Sequence, residues 1–214
     1  NSVELALSID DFSKRKIEPA VKTLVSAIEA DYLAFAAKAT YQLVGTDNTA
    51  ITTLDVPGKA RAKLNQQLAP KSDRSIQMDS VTMGSLVNGM AAYFNPSGAV
   101  GKQYTEGLVA RTAMADYYEN ERVWTMTNGS DVAFALDTYT VTEGDADLTV
   151  TPWATPVAGM VFTLAGVYDV HPETKTAYSH LKQFTVLAGS TATNLLISPA
   201  IYSSASGALQ NVSA

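Results

Sequence analysis

The chain has no cysteine, two histidines and, in 214 residues, no apolar run approaching the 18 or more that a membrane-spanning helix needs. Without cysteine there are no disulfides and no thiolate metal sites, which suits a protein that meets different redox environments. Basic charge is scarce too. The 15 Lys and Arg face 21 Asp and Glu, a net charge of −6, so nothing electrostatic favours clamping phosphates and direct nucleic-acid binding is disfavoured. No basic segment followed by an apolar one opens the chain, so it reads as soluble and without a secretory signal. It begins at Asn1 rather than Met, which reads as the start of a fragment or a processed product.

The scarcity extends to reactive groups. His171 and His180 lie nine residues apart, and a zinc site would need two more ligands from scattered carboxylates. His171 reads as part of a turn with Pro172, and His180 as a polar residue on a strand. No histidine stands near a plausible nucleophile and no G-x-S-x-G occurs, so a serine-hydrolase relay lacks its parts. The segment SGAVGKQ (Ser97 to Gln103) has the look of a phosphate loop, but Pro96 stands where its first glycine belongs and Gln103 replaces the magnesium-binding Ser or Thr.

Other candidates read more simply as structure. Glu143, Asp145 and Asp147 alternate around Gly144 and could gather oxygen ligands for calcium, yet their order departs from the EF-hand pattern and a solvated acidic turn is the stronger reading. Asp10 and Asp11 read as helix caps rather than an acid–base pair. Asn128-Gly-Ser and Asn211-Val-Ser match the glycosylation tripeptide, which carries no weight without a secretory signal. Tyr93, Phe94, Tyr104, Tyr117, Tyr118 and Trp124 could stack bases, but Asp116, Glu119 and Glu121 would repel a phosphate backbone, and core or subunit packing fits them better. No catalytic, cofactor-binding or metal-ligating residue is named, and no cofactor is expected.

What is present is enough apolar residue, 46% of the chain, for a real core in one large or two small domains. Phe12, Ile17, Val21, Leu24, Val25, Ile28 and Leu33 recur at helical spacing, with Pro19 either kinking the helix or marking its first turn. Ala34 to Ala39 continue the helix toward Gly45. Pro57 opens a second helix with Ala60, Leu64 and Leu68 on one face and Pro70 as its stop. A short strand over Ser75–Asp79 precedes a third helix, Ser80 to Phe94, with Val81, Leu86, Val87, Met90 and Phe94 as its apolar members. Gln103 to Val109 reads as a short helix, and Tyr117, Tyr118, Val123 and Trp124 as strand or core positions.

From Gly129 the helical period disappears. Strand-like runs take over at Tyr139–Thr142, Leu148–Thr151, Met160–Val167, Gln183–Leu187 and Leu195–Ile197, a spacing that suggests a small β-barrel or sandwich. Val161, Thr163, Ala165 and Val167 alternate there with Phe162, Leu164, Gly166 and Tyr168. Charge divides in the same place: residues 1–127 hold 13 basic and 14 acidic side chains, a net −1, whereas residues 128–214 hold 2 and 7, a net −5. The expected organisation is α+β, with a helix-rich part over 1–127 and a β-rich part over 128–214.

Three stretches together resemble the coat-protein family of short-tailed Salmonella-type phages: ALSIDDFSKRKIEPAVKTLVSAIEADYLA (Ala6 to Ala34), YTEGLVARTAMADYYENERV (Tyr104 to Val123) and GMVFTLAGVYDVHPETKTAYSHLKQFTVL (Gly159 to Leu187). The resemblance implies a Hong Kong 97-type capsid core, with Ala6–Ala34 as the long spine helix of the peripheral domain and Ser75–Val123 as the first half of the axial domain. It also implies that Gly159–Pro199 belongs to a small all-β insertion barrel carried inside the axial domain, with AGVYDVHPETK, HLKQFTV and ISPAI as its quoted motifs. The family's N-terminal arm and extended loop would precede Asn1, and the strands completing both domains would follow Ala214.

The implied function is that of a major capsid protein of a tailed phage or prophage. It would be made in the bacterial host cytoplasm, associate with copies of itself in hexamers and pentamers and with scaffolding and portal proteins, and end in the virion. It would have neither membrane nor specific nucleic-acid partners, and an acidic wall that does not grip packaged DNA would be an advantage. The expected packing residues are Val21, Leu24, Val25 and Ile28 on the spine-helix face, Gly107 and Gly166 at turns or close backbone approaches, and Phe162, Val167, Phe184 and Val186 in the insertion core. Alternatives are a β-rich surface-binding module, such as an adhesin or tail component, and, less favoured, a hydrolase.

Overall fold

Proline sets how the first helix begins. The computed structural model describes residues 12–46, 48–90, 115–127, 142–150 and 156–213. Pro19 has no N–H to donate, and its ring crowds the carbonyl four residues back. The chain forms a π-helical turn over Ser13–Ile17, in which the Glu18 N–H reaches the Ser13 carbonyl, before α1 runs over Glu18–Ala39 with Pro19 in its first turn. Pro19 thus marks the start of the regular helix without ending the helical path. Asp10 and Asp11 lie outside the described residues, and no side chain caps Ile17. Thr40 closes α1 in extended backbone, its hydroxyl donating to the Ala36 carbonyl at 2.8 Å.

No residue of α1 is buried. Ile17, Val21, Leu24, Val25, Ile28, Tyr32 and Phe35 form one apolar stripe, from 49% exposed at Ile17 to 71% at Phe35. The face expected from Val21, Leu24, Val25 and Ile28 is therefore formed, but it stands open to solvent instead of packing.

Helix α2 spans Asp55–Gln66, with buried Pro57 in its first turn, where a missing N–H is harmless. Its C-terminus folds back through Leu68 N–H to the Asn65 carbonyl and Ala69 N–H to the Leu64 carbonyl. Leu68 has a φ of +59°, and Leu64 and Leu68 are both exposed, so the expected Ala60–Leu64–Leu68 face does not pack into either core. Strand β1 (Ser75–Met78) pairs in parallel with β2 (Asp116–Glu119), and α3 (Ser80–Met90) lies between them in sequence.

Met78, Met83, Leu86, Met90 and Tyr117 form one core, with Ile51, Leu54, Ile76 and Val87 packed against it. On α3 the buried side is Met83, Leu86, Val87 and Met90, at helical spacing. Val81, expected among them, faces away at 77% exposure, while Phe94 and the Gln103–Val109 segment lie outside the described residues. Gly89 is required by contact, since a Cβ there would stand 1.9 Å from the Thr52 carbonyl oxygen. Of the four aromatic and aliphatic positions expected near here, Tyr117 is buried in β2, Tyr118 and Val123 are exposed, and Trp124 is partly covered.

The rest of the described chain is a curled five-stranded antiparallel sheet: β3 (Asp145–Thr149), β4 (Val161–Val170), β5 (Ala177–Val186), β6 (Asn194–Ile201) and β7 (Val212–Ser213). The spatial order is β3, β6, β5, β4, β7, and a 3₁₀ segment over Ser204–Leu209 leads into β7. Its core contains Leu148, Val150, Leu164, Val167, Phe184, Val186, Leu195, Ile197, Ile201 and Val212, with Met160 and Phe162 packed against it. Val167, Phe184 and Val186 are buried as expected, and Phe162 packs at the margin, its ring 5.9 Å from that of Phe184.

The simple alternation read along β4 does not hold. The register with β5 slips between Thr163 and Tyr168, where Gly166 takes a φ of +81°, and Leu164 and Val167, three apart, enter the same core. Nothing lies within 4 Å of where a Cβ at Gly166 would sit, so this glycine serves a bulge conformation and not a close approach. Strand β5 starts at Ala177, well before the expected Gln183, because its polar first half faces a neighbour. Gly107 and most of the Tyr139–Thr142 run lie outside the described residues.

Candidate functional site

Among the described residues the two cores share no side chain, and the α1–α2 arm meets the sheet through a polar seam. At the end of α1, the Thr185 hydroxyl donates to the Lys38 carbonyl at 3.1 Å. The carboxamide of Gln183 acts as a backbone mimic toward Leu43, accepting from its N–H at 3.0 Å and donating to its carbonyl at 3.1 Å. Lys63 of α2 donates to that carbonyl at 3.0 Å and also to Gln183 Oε1. Farther along, the Tyr178 hydroxyl donates to the Gln66 carbonyl at 3.1 Å, and Gln67 Nε2 donates to Asp169 Oδ2 at 2.9 Å.

Asp169 is the charged centre of the seam. It is 7% exposed, and its Oδ1 accepts from Lys182 Nζ at 2.7 Å and from the Val170 N–H at 3.0 Å. Lys182 is 4% exposed and lies 5.3 Å from the centroid of the Tyr41 ring. Burying two charges is costly unless each finds a partner, and here each does. His180 Nε2 lies 3.4 Å from Asp169 Oδ2, and its ring stacks on Tyr178 at 5.1 Å.

Burial holds the Lys63 ammonium below the usual lysine range. The Lys182 charge pushes the same way and Asp169 opposes both. Burial, with help from the Asp169 charge, raises the Tyr41 phenol above its ordinary value. A small space lined by Tyr41, Gln42, Lys63, His180 and Gln183 opens between these groups.

A second junction sits at the entry to β4. Lys38 Nζ lies 5.3 Å from the Trp124 ring centroid, and a methyl at Gly159 would stand 3.0 Å from Lys38 Cγ and 3.1 Å from Trp124 Cη2. Gly159, with a φ of +97°, is thus needed both for conformation and for room.

The two histidines fall on one hairpin and take the roles read from the sequence. His171 Nδ1 accepts from the N–H groups of Glu173 and Thr174, both at 3.2 Å, shaping the β4–β5 turn, while His180 lies on β5. The acidic trio is engaged in local bonding. Glu143 accepts from the hydroxyls of Ser203 and Ser206, which hold its carboxyl below the ordinary value. Asp145 accepts from the Asp147 N–H at 3.0 Å, and Asp147 from Asn194 Nδ2 at 3.2 Å. Asn211 straps the chain, accepting from the Tyr202 N–H and donating to the Ala200 carbonyl.

Among the described residues, no group of three His, Cys, Asp or Glu is placed to hold a metal, and no helix is long and apolar enough to cross a membrane. Ser97–Gln103, Asn128, Tyr93, Phe94 and Tyr104 lie outside the described residues. The groups that sequence reading passed over are Asp169 and Lys182. The available signal was a lone charge of each sign inside a strand-like run, at VYDV and HLKQF.

No family model and no curated protein matches the chain. Among solved structures, the CUS-3 coat protein I-domain is 30% identical, with 40% of this chain and 89% of that one covered and a TM-score of 0.29. Over two fifths of its length, then, the chain is similar to a domain of a phage coat protein.

Proposed function

We propose that the chain is a capsid subunit of a tailed phage or prophage: a major coat protein with a Hong Kong 97-type core over 1–127 and an inserted β-domain over 128–214. In this reading α1 is the spine helix and the five-stranded sheet belongs to the insertion barrel. The subunit assembles with its own copies, as hexamers and pentamers, into an icosahedral head, together with scaffolding and portal proteins. Its work is structural and not catalytic.

One observation carries the reading. The stripe on α1 from Ile17 to Phe35 runs about 27 Å at 1.5 Å per residue, and the described chain leaves it open while closing two cores elsewhere. A helix face of that length is built to be covered by further protein, and shell formation supplies layers of it. The strand motifs from Ala165 to Val186, which form β4 and β5, support the assignment of the sheet.

The test is expression of the gene from its own start to its own stop, alone and with a candidate scaffolding protein, followed by sedimentation and electron microscopy. Closed shells, or a rapidly sedimenting precursor shell, are expected. A product that stays monomeric under all these conditions and binds a receptor or glycan would overturn the reading in favour of an adhesin or tail component.

A further inference from the structure

We propose that the seam centred on Asp169 is a rocking joint, on which the five-stranded sheet turns as one body against the α1–α2 arm. The first argument is the division of apolar packing. Among the described residues, one core draws its side chains from Ile51, Leu54, β1, α3 and Tyr117 and the other from residues 148–212; neither takes one from α1 or α2, so no apolar core crosses the seam. The bonds that do cross, from Gln67 to Asp169, Gln183 to Leu43, Lys63 to Gln183, Tyr178 to Gln66 and Thr185 to Lys38, are hydrogen bonds that water can replace.

The second argument is where the charges keep their partners. Asp169 is paired with Lys182 inside the β4–β5 hairpin, and Lys63 keeps the Leu43 carbonyl inside the arm. Opening the seam therefore leaves no buried charge orphaned on either side, and orphaning is what usually locks an ionic interface shut. Asp169 loses one amide donor, Lys63 loses one amide acceptor, and the Tyr41 ring moves off Lys182.

The third argument is a pivot. At the far end, Gly159, tied to the sheet by its N–H to the Val186 carbonyl at 2.8 Å, nests closely under Lys38 and Trp124, and this close contact is the fixed point about which the sheet can turn.

The absence of native cysteine makes the joint directly measurable. Lys22→Cys on α1 and Leu209→Cys beyond β6, both exposed positions, carry spin labels on the full unassembled chain, and the inter-label distance distribution is recorded. The parent distribution should be narrow. In the Gln67→Ala/Gln183→Ala variant its width should at least double, with the far-ultraviolet circular dichroism unchanged. Tyr178→Phe, which deletes only the bond to Gln66, should broaden it by less. An unchanged width in the double variant, or loss of the β signal, would overturn the proposal, since the seam would then be rigid or part of a single cooperative core. A parent distribution already as wide as the double variant's would overturn it too, because the named bonds would not be the latch.

Discussion

Asp79 holds the first turn of α3, its carboxylate accepting from the Thr82 N–H at 3.2 Å, and the hydrogen bonds from Thr82 keep its carboxyl below the ordinary 3.8. Because the folded-state value is depressed, this stabilisation is present above 3.8 and is lost as pH falls through the lower folded-state value. Asp79→Ala should cost about 1 kcal/mol at neutral pH. In urea titrations the gap between variant and parent should close in acid, and a gap that persisted there would show that the carboxylate is not the cap. Here the sequence was half legible: the helix start at Ser80 was readable, but Asp79 reads as the end of the preceding strand, which hides its capping role. Asp169 and Lys182 were not legible, because they lie 13 residues apart and meet only after a turn and a register slip that no local pattern encodes.

At the scale of elements, two glycines separate two kinds of requirement. In α3, Gly89→Ala improves helix propensity by about 1 kcal/mol, but the new methyl would collide with the Thr52 carbonyl, backbone that cannot rotate away. Overpacking of that kind costs about 1–3 kcal/mol, so net destabilisation is expected, with the loss concentrated in the core around Leu86. In β4, Gly166→Ala meets open space and pays only for a positive φ, about 1 kcal/mol, and should leave Leu86 protection untouched. Amide hydrogen exchange on both variants checks the contrast, and equal effects on the two cores would refute it.

The same bulge explains what could not be read in advance. Alternation along Val161–Tyr168 is a correct strand signal, yet one glycine at φ +81° shifts which residues face inward, so Leu164 and Val167 share a core. For α1 the reverse holds: period and stripe were legible and Pro19 reads as either a kink or a first turn, but a stripe does not say what will cover it.

For the molecule as a whole, a mixed α+β make-up was legible from helical spacing early in the chain and strand-like runs late in it, while the way the elements meet was not, because polar side chains at half-buried positions leave no hydrophobic signature. Two cores without a common side chain should unfold separately. Leu148→Ala should cost about 2–5 kcal/mol in the sheet, lowering protection around Phe184 and leaving that around Leu86 unchanged, as read by amide exchange. Coupled loss at both sites would mean that the seam transmits stability. It also bears on how such a chain can change over generations. If the helices need nothing apolar from the strands, recombination can trade the whole β segment as a cassette, and the outer character of the product can diversify while the inherited interior of its helical half stays as it was.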